Sequence, residues 1–197
     1  MTGTCPSLIE ALATVEDPRK ARGKREPLSA ILALAVAATL CGAESYQAIA
    51  DWGRNHGNAM ARTLGFTRDK TPCAATFYNI FRRLDRQGFE QALWRWAEQV
   101  LKAHPPPKAA TEAVAVDGKT LRGSQRQGAV DVHLLSAVSH RLGLTLYQQA
   151  VPAKTNEIGA LPEMLQILLL EGRVVTVDAL LCQRGIAEKV RAKGGTT

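Results

Sequence analysis

The sequence VAVDGKTLRGS (114–124) contains a short apolar run, an aspartate, a glycine and two basic residues. A second run further along the chain, RVVTVDALLCQ (173–183), also leads into an aspartate. Short valine-rich runs bounded by polar residues are typical of buried strands, so Asp117 and Asp178 are each predicted at the end of a strand. Two carboxylates delivered this way predict a divalent-metal site, and the basic residues beside the first predict a phosphate-bearing substrate.

The composition of the 197-residue chain points to a folded protein with an anionic partner. A hydrophobic fraction of 46% is enough to bury a core in one medium domain or two small ones. The formal net charge of +7 favours nucleic acid as the partner, although solvated lysines give the same balance. The four cysteines are scattered, which argues against a zinc site or a disulfide scaffold and fits a reducing cytosol.

The most apolar stretch of the chain is LSAILALAVAATLCGA (28–43). It is short for a membrane span, Thr39 and several small residues dilute it, and it begins too late for a signal peptide. We therefore predict a buried helix and no membrane partner, with a membrane segment as the alternative.

Helical patterns dominate the chain up to residue 103. Residues 46–62 are predicted to form one helix after the apolar one. Thr71 and Pro72 predict the start of the next, because threonine is a good N-cap and proline suits the first helical position. Gly88 is predicted to separate this helix from a further one, which ends at the prolines after residue 104.

Two groups of basic residues in the helical part are candidate contacts to nucleic acid. One lies in the segment PRKARGKR of an irregular arm, residues 1–26, and the other lies off the apolar stripe of a predicted helix. An arm or a helix face of this kind can follow a phosphate backbone, and a solvated surface is the alternative for both. The residues are Arg19, Lys20, Arg22, Lys24 and Arg25 in the arm, and Arg82, Arg83 and Arg86 on the helix.

The pattern changes after the prolines, so we place a domain boundary there, with domains 1–107 and 108–197. Four short runs rich in valine and leucine are predicted strands, with a helix over 156–170 before the fourth and another over 184–193 after it. The fold class is therefore α+β: an all-helical N-terminal domain followed by an incomplete RNase H-like domain of order βββαβα. In that topology the first and fourth strands are neighbours.

Neighbouring strands would bring Asp117 and Asp178 together. Two adjacent carboxylates repel each other unless a cation lies between them, and their hard oxygen ligands suit Mg²⁺ or Mn²⁺. Lys119 and Arg122 would then lie near the substrate phosphate. Taken singly, each aspartate has a structural alternative: Asp117 with Gly118 as a hairpin turn, and Asp178 as the cap of the helix that follows.

The chain resembles insertion-sequence DDE transposases of the group that includes the H-repeat-associated proteins of Rhs elements. The resemblance covers nearly the whole chain and is carried by several segments. They are DPRKARGKREPLSAILALAVAATLCGAESYQAIADWG, TFYNIFRRLD, AVDGKTLRGS, KTNEIGALPEML and VVTVDALLCQRGIAEKV.

The resemblance implies metal-assisted cleavage of a DNA strand followed by attack of the DNA 3′-hydroxyl on target DNA, that is, DNA transposition, a recombination reaction. It carries the first two acidic positions onto Asp117 and Asp178. It also implies Mg²⁺ or Mn²⁺ as cofactor, transposon ends and target DNA as partners, a homo-oligomer, and a nucleoid-associated place in the bacterial cytoplasm.

The third carboxylate of such enzymes, a glutamate, comes from a helix well downstream of the second aspartate. The chain ends at residue 197, so we expect a truncated transposase that is inactive alone. Glu157 is a further candidate ligand, and Glu188 is a weaker one. Two rival functions stay open: a DNA-binding remnant or regulator without catalysis, and an RNase H-like nuclease that uses Asp117, Glu157 and Asp178.

Overall fold

A computed structural model of the chain describes residues 7–106, 111–120, 133–151 and 157–197, without the side chains of residues 157 and 158. The chain divides into two compact units, Met1–Gln99 and Val100–Thr197. The described helices that begin in the first unit are α1 (Leu8–Leu12), α2 (Leu28–Leu40), α3 (Tyr46–Asn55), α4 (Gly57–Thr63), α5 (Ala74–Phe81) and α6 (Arg86–Ala103), with a short 3₁₀ helix at Ala21–Gly23.

Helix α2 forms the centre of the first unit, as its apolar sequence predicts. It packs against α1 and α3, and α3 packs against α4 and α5. Ile31, Leu32 and Leu34 are almost completely buried, and each such side chain contributes about 1.5–3 kcal/mol to folding. None of the helices in the described ranges has both the length and the apolar character that a membrane crossing requires.

The segment 46–62 forms two helices, so the prediction of one continuous helix is wrong. Helix α3 ends at Asn55 and α4 begins at Gly57, whose φ of +71° is left-handed. Glycine adopts this conformation without the steric cost that a Cβ brings, and a helix cannot continue through it.

The predicted start of α5 and the predicted interruption of α6 are also wrong. Helix α5 begins at Ala74, and Thr71 lies against α3, where its Oγ1 would be 3.1 Å from a Cβ placed on Gly53. Helix α6 begins at Arg86 and continues through Gly88, where the sequence predicts a break. Asp85 caps its first turn, because Asp85 Oδ1 accepts the N–H of Gln87 at 3.1 Å.

The described part of the arm, residues 7–26, is more ordered than the sequence predicts. Ser7 Oγ accepts the N–H of Glu10 at the start of α1, and Leu12 and Val15 are buried in the core of the first unit. The apolar residues of the arm are spaced by one helical turn, and their burial holds the segment on the unit.

The second unit is an α+β fold that contains the end of α6. Its described elements are β1 (Glu112–Thr120), β2 (His133–Ser139), β3 (Thr145–Val151), α7 (Glu157–Ile167), β4 (Arg173–Val177) and α8 (Arg184–Ala192). The strand order is β3-β2-β1-β4, with β1 antiparallel to β2 and parallel to β4. The predicted sequence of elements and the predicted pairing of the first strand with the fourth are confirmed.

One face of the sheet forms the core of this unit. Val114 and Val116 of β1 alternate with less buried residues, as a strand with one covered face requires. Helix α7 packs against β2, β3 and α8, and buries Leu161, Met164 and Leu165. The last residues of the chain lie beside β4, where Thr196 forms a parallel bridge with Val174.

Candidate functional site

Asp117 lies within β1 and not at its end. It pairs with Ser136 of β2, and the ladder continues through Gly118 to Thr120. The predicted strand end is therefore wrong, and so is the alternative of a hairpin turn at Asp117-Gly118. The physical reason is that β2 continues to pair with β1 beyond the point where β4 stops, which keeps the backbone extended. The Asp117 residue is exposed, on the side of β1 opposite Val116.

Asp178 directly follows the last residue of β4, as the sequence predicts. It is exposed, its Oδ1 accepts the N–H of Ala179 at 2.5 Å, and its carbonyl oxygen accepts the N–H of Leu181 at 2.9 Å. The alternative in which Asp178 caps the next helix is wrong, because α8 begins at Arg184 and has Gln183 at its N-cap position. The carboxylate belongs to a turn at the strand end.

The parallel pairing of β1 with β4 brings the two aspartates to neighbouring positions. The last register pair is Val116 with Val177, and each aspartate is the next residue of its own strand segment. Paired strands lie roughly 4.8 Å apart, so the two backbones approach to about that distance here. No salt bridge joins either aspartate to another of the described residues.

The other predicted residues of this site are only partly described. Lys119 is exposed and lies two residues beyond Asp117, so it projects to the same side of β1. Glu157 is the first residue of α7, but its side chain lies outside the described part, and so does the whole of Arg122. Within the described ranges, no three His, Cys, Asp or Glu side chains group as a metal site would require.

The aspartate pair has the chemistry of a partial cation site. Both carboxylates are exposed, and carboxylate oxygens are the ligands that Mg²⁺ and Mn²⁺ prefer. Two like charges on adjacent strands also repel each other, and a cation between them removes that repulsion. Asp117 and Asp178 therefore fit a divalent ion as two of its ligands.

A buried carboxylate at the opposite end of β1 holds this strand in place. Glu112 is 4% exposed, and its oxygens accept hydrogen bonds from Ser139 Oγ at 2.6 Å and from Arg141 Nε at 2.8 Å. Burial raises the pKa of Glu112, but these hydrogen bonds and the charges of Arg141 and Arg173 outweigh it, so the pKa lies below its ordinary value. The network ties β1 to the connection between β2 and β3.

The arm residues divide into internal and outward-facing cations. Arg19 bonds twice to Asp17, at 2.9 Å for each nitrogen, and its Nη2 also donates to the carbonyl of Glu26 at 2.8 Å. This pairing lowers the pKa of Asp17. Arg19 thus closes the arm into a loop, and its contact to nucleic acid stays a prediction. Lys24 lies 3.8 Å from Asp17.

The remaining arm cations are exposed, and no acidic partner is found for them in the part of the chain that the structure describes. They are Lys20, Arg22 and Arg25. The arginines predicted on one helix face are also exposed, but that placement is wrong: Arg82 and Arg83 follow the end of α5, and Arg86 begins α6. Arg82 lies 5.6 Å from the ring centre of Tyr78, and Arg86 Nε lies 3.5 Å from Glu90 on the same helix. Arg83 is exposed as well, and it has no acidic partner among the residues that the structure describes.

A cavity of about 550 Å³ in the first unit brings three basic residues of the arm together with three that sequence analysis missed. We call it the basic pocket. Its cationic lining residues are Arg19, Arg22, Arg25, Arg54, Arg68 and Lys70, and Glu26 is the one acidic residue among those that line it within the described ranges. Arg54, Arg68 and Lys70 come from the end of α3 and from the loop before α5, so no local sequence pattern links them to the arm.

Comparison with known protein families gives one match for each part of the chain. Residues 9–97 match the family described as DDE_Tnp_1-associated, and residues 108–197 match the family described as Transposase DDE domain. Asp117 and Asp178 both fall in the second matched range. No solved structure is similar enough to the chain to count as a match.

Several bacterial proteins of related sequence carry transposase names. The chain is 34% identical over 191 residues to the candidate transposase YncI of Escherichia coli (strain K12), which covers 95% of this chain and 74% of that protein. It is 31% identical over 192 residues to the H repeat-associated candidate transposase YbfD of the same strain, with 95% and 73% covered. For YhhI of that strain, also named an H repeat-associated candidate transposase, the identity is 31% and the chain spans 49% of its length.

Proposed function

This chain belongs to the DDE transposase family, and we propose that it acts in DNA transposition, with Asp117 and Asp178 as metal-binding carboxylates of the catalytic site. The observation that carries the proposal is the parallel pairing of β1 with β4, which makes the two aspartates neighbours at exposed positions. A site of this kind cuts a DNA strand and joins its 3′ end to target DNA.

The roles of the side chains follow from their charge and place. Asp117 and Asp178 would hold Mg²⁺ or Mn²⁺, which when bound stabilises the charge that develops in phosphoryl transfer. Lys119 projects to the same side of β1 as Asp117 and would attract a DNA phosphate to the site. Asp178 is also oriented by the N–H of Ala179, which leaves its second oxygen for a cation. We propose Arg122 and Glu157 as further contributors, to substrate and to metal respectively.

The proposal is tested by Mn²⁺ binding, measured by electron paramagnetic resonance, because this readout does not depend on strand transfer. Asp117→Asn and Asp178→Asn are each expected to weaken Mn²⁺ binding by tenfold or more, about 1.4 kcal/mol, since each removes one charged ligand. Glu171→Gln is the matched control: it removes an exposed carboxylate that precedes β4, at the opposite end of this strand from Asp178. Equal Mn²⁺ binding by the wild type and both aspartate variants would refute the assignment.

The rival nuclease function is separated from this one by Glu157. Metal-dependent DNA or RNA hydrolysis that is lost in Glu157→Gln, together with Asp117→Asn and Asp178→Asn, would favour an RNase H-like nuclease. DNA binding without any hydrolysis would favour a regulator that occupies DNA.

A further inference from the structure

We propose that the basic pocket of the first unit binds the sugar-phosphate backbone of a DNA strand, at a site separate from the aspartate pair. The choice of DNA as the anion rests on the proposed function, whereas the site itself is taken from the structure. The pocket is built by the arm, by the first turns of α2 and α5, by the end of α3, and by the loop over residues 68–73.

The arm is held in the shape that the pocket needs. Arg19 bonds to Asp17 and to the carbonyl of Glu26, so the chain between these points closes into a loop that carries Arg22 and Arg25. The short 3₁₀ helix at Ala21–Gly23 lies in this loop. These two arginines therefore lie on an ordered segment, and less conformational entropy is lost when they bind a ligand than in a mobile tail.

Glu26 joins the end of this loop to Thr67, in the segment before α5. It is 8% exposed, and its Oε2 accepts hydrogen bonds from the N–H of Thr67 at 2.7 Å and from its hydroxyl at 3.0 Å. Its Oε1 lies 3.9 Å from Arg68 Nε. The carboxylate of the lining is thus buried, with one oxygen bonded to Thr67 and the other without a hydrogen bond among the described residues, and the cations around the cavity outnumber its one negative charge.

The cations of the lining are only partly neutralised. Arg54 is paired with Asp51, and Arg68 has the long contact to Glu26. Arg22, Arg25 and Lys70 are exposed, and none of them has an acidic partner among the residues that the structure describes. Like charges around one concave surface raise its positive potential, and an anion that enters the cavity relieves their repulsion.

The shape and chemistry of the pocket favour a strand of DNA over a small anion or a single nucleotide. A cavity of about 550 Å³ is much larger than one phosphate group needs. Its described lining contains no aromatic ring on which a base would stack and no asparagine or glutamine that would read a base edge. Arginine, lysine and threonine side chains are typical contacts to phosphates, which position a strand without reading its sequence.

The test compares two charge-matched double variants. Arg25→Gln/Lys70→Gln removes two unpaired cations of the pocket, and Arg95→Gln/Lys102→Gln removes two exposed cations of α6 that do not line it. Binding of a fluorescent DNA duplex is measured by anisotropy over a range of salt concentrations. Each lost phosphate contact lowers the slope of log K against log[salt] by about 0.9. We expect the pocket variant to lose close to two contacts and at least tenfold in affinity, and the control to lose less than half as much.

Three outcomes would overturn the inference. If both double variants lose the same affinity, DNA binding is spread over the surface and the pocket has no special role, while the proposed function stands. If ATP or inorganic phosphate raises the Tm of the wild type but DNA does not compete, the pocket takes a small anion. If the wild type binds no DNA, the DNA-binding part of the proposed function fails as well. If circular dichroism shows that the Arg25→Gln/Lys70→Gln protein is unfolded, Arg22→Gln/Arg68→Gln is used as the pocket variant instead.

Discussion

Glu112 shows how a single buried side chain supports the candidate site from a distance. It lies five residues before Asp117 on the same strand, and its carboxylate joins Ser139 and Arg141. A buried carboxylate is stable only when hydrogen bonds and opposite charge compensate its desolvation, and both are present here. The residue therefore fixes the start of β1 against β2, and through β1 the position of Asp117.

We predict that Glu112→Gln lowers the stability of the second unit by about 2 kcal/mol, because it leaves Arg141 without its charged partner. The measurement is urea unfolding by circular dichroism. Ser139→Ala is the companion variant, since it removes one hydrogen bond without a charge. A loss below that of Ser139→Ala would show that Arg141 finds other compensation in solvent.

The lowered pKa of Glu112 gives the second unit an acid-sensitive component of stability. The folded protein holds the carboxylate ionised more strongly than the unfolded chain does, so this stabilisation is complete above the ordinary value near 4.5. It is lost as the pH falls from there through the lower folded pKa. In Glu112→Gln this component of the acid dependence should be absent from urea titrations between pH 6 and the acid limit of folding. If the stability of Glu112→Gln depends on pH in the same way as that of the wild type, the pKa of Glu112 is not lowered by folding.

At the scale of elements, the end of α7 is held by a residue that follows α8. The Nζ of Lys193 donates to the carbonyl oxygens of Leu165 at 2.8 Å, Gln166 at 2.5 Å and Leu168 at 2.9 Å. Carbonyls at a helix C-terminus have no partner within the helix, and a cation there also complements the helix dipole. Lys193 thus connects the C-terminal end of α7 to the end of α8.

We predict that Lys193→Met destabilises the chain by about 1–2 kcal/mol, since it keeps the apolar stem but removes the charged hydrogen bonds to three carbonyls. Thermal unfolding followed by circular dichroism is the measurement. Lys189→Met is a suitable control, because that lysine is exposed on α8. If the two variants unfold at the same temperature, the three hydrogen bonds contribute no net stability.

The whole molecule combines a helical unit with a strongly basic cavity and an α+β unit with an acidic pair. The two families matched along the chain follow the same division, 9–97 and 108–197. We propose anionic DNA as the ligand of the first surface and a divalent cation as the ligand of the second. A transposase needs both, because it must hold DNA and cut it.

We predict that the chain binds DNA in a salt-dependent way and that strand transfer requires both Asp117 and Asp178, since the proposed metal site depends on both carboxylates. The assay incubates the purified chain with a linear donor duplex, a supercoiled plasmid and Mn²⁺, and detects joined products on a gel. Strand transfer that persists in Asp117→Asn or in Asp178→Asn would contradict this prediction.

Much of the architecture follows from local patterns in the sequence. The apolar stretch at 28–43 predicts a buried helix, and the valine-rich runs predict strands, because hydrophobic periodicity reflects which faces an element buries. Their order along the chain predicts which strands are neighbours, and so the proximity of Asp117 and Asp178. The helix boundaries were less predictable. Thr71 packs against Gly53 and does not cap α5, and α6 starts after Asp85, which caps it, and not after Gly88.

The functions of the charged side chains depended on the folded structure. Arg19 and Arg22 belong to the same basic run and both line the basic pocket, yet Arg19 is bonded to Asp17 and Arg22 has no acidic partner among the described residues. Arg54 and Lys70 join that pocket from other parts of the chain. A one-dimensional pattern encodes which residues are apolar and in what order elements form. The pairing of a charge depends on which distant groups folding places beside it, and only the tertiary structure contains that information.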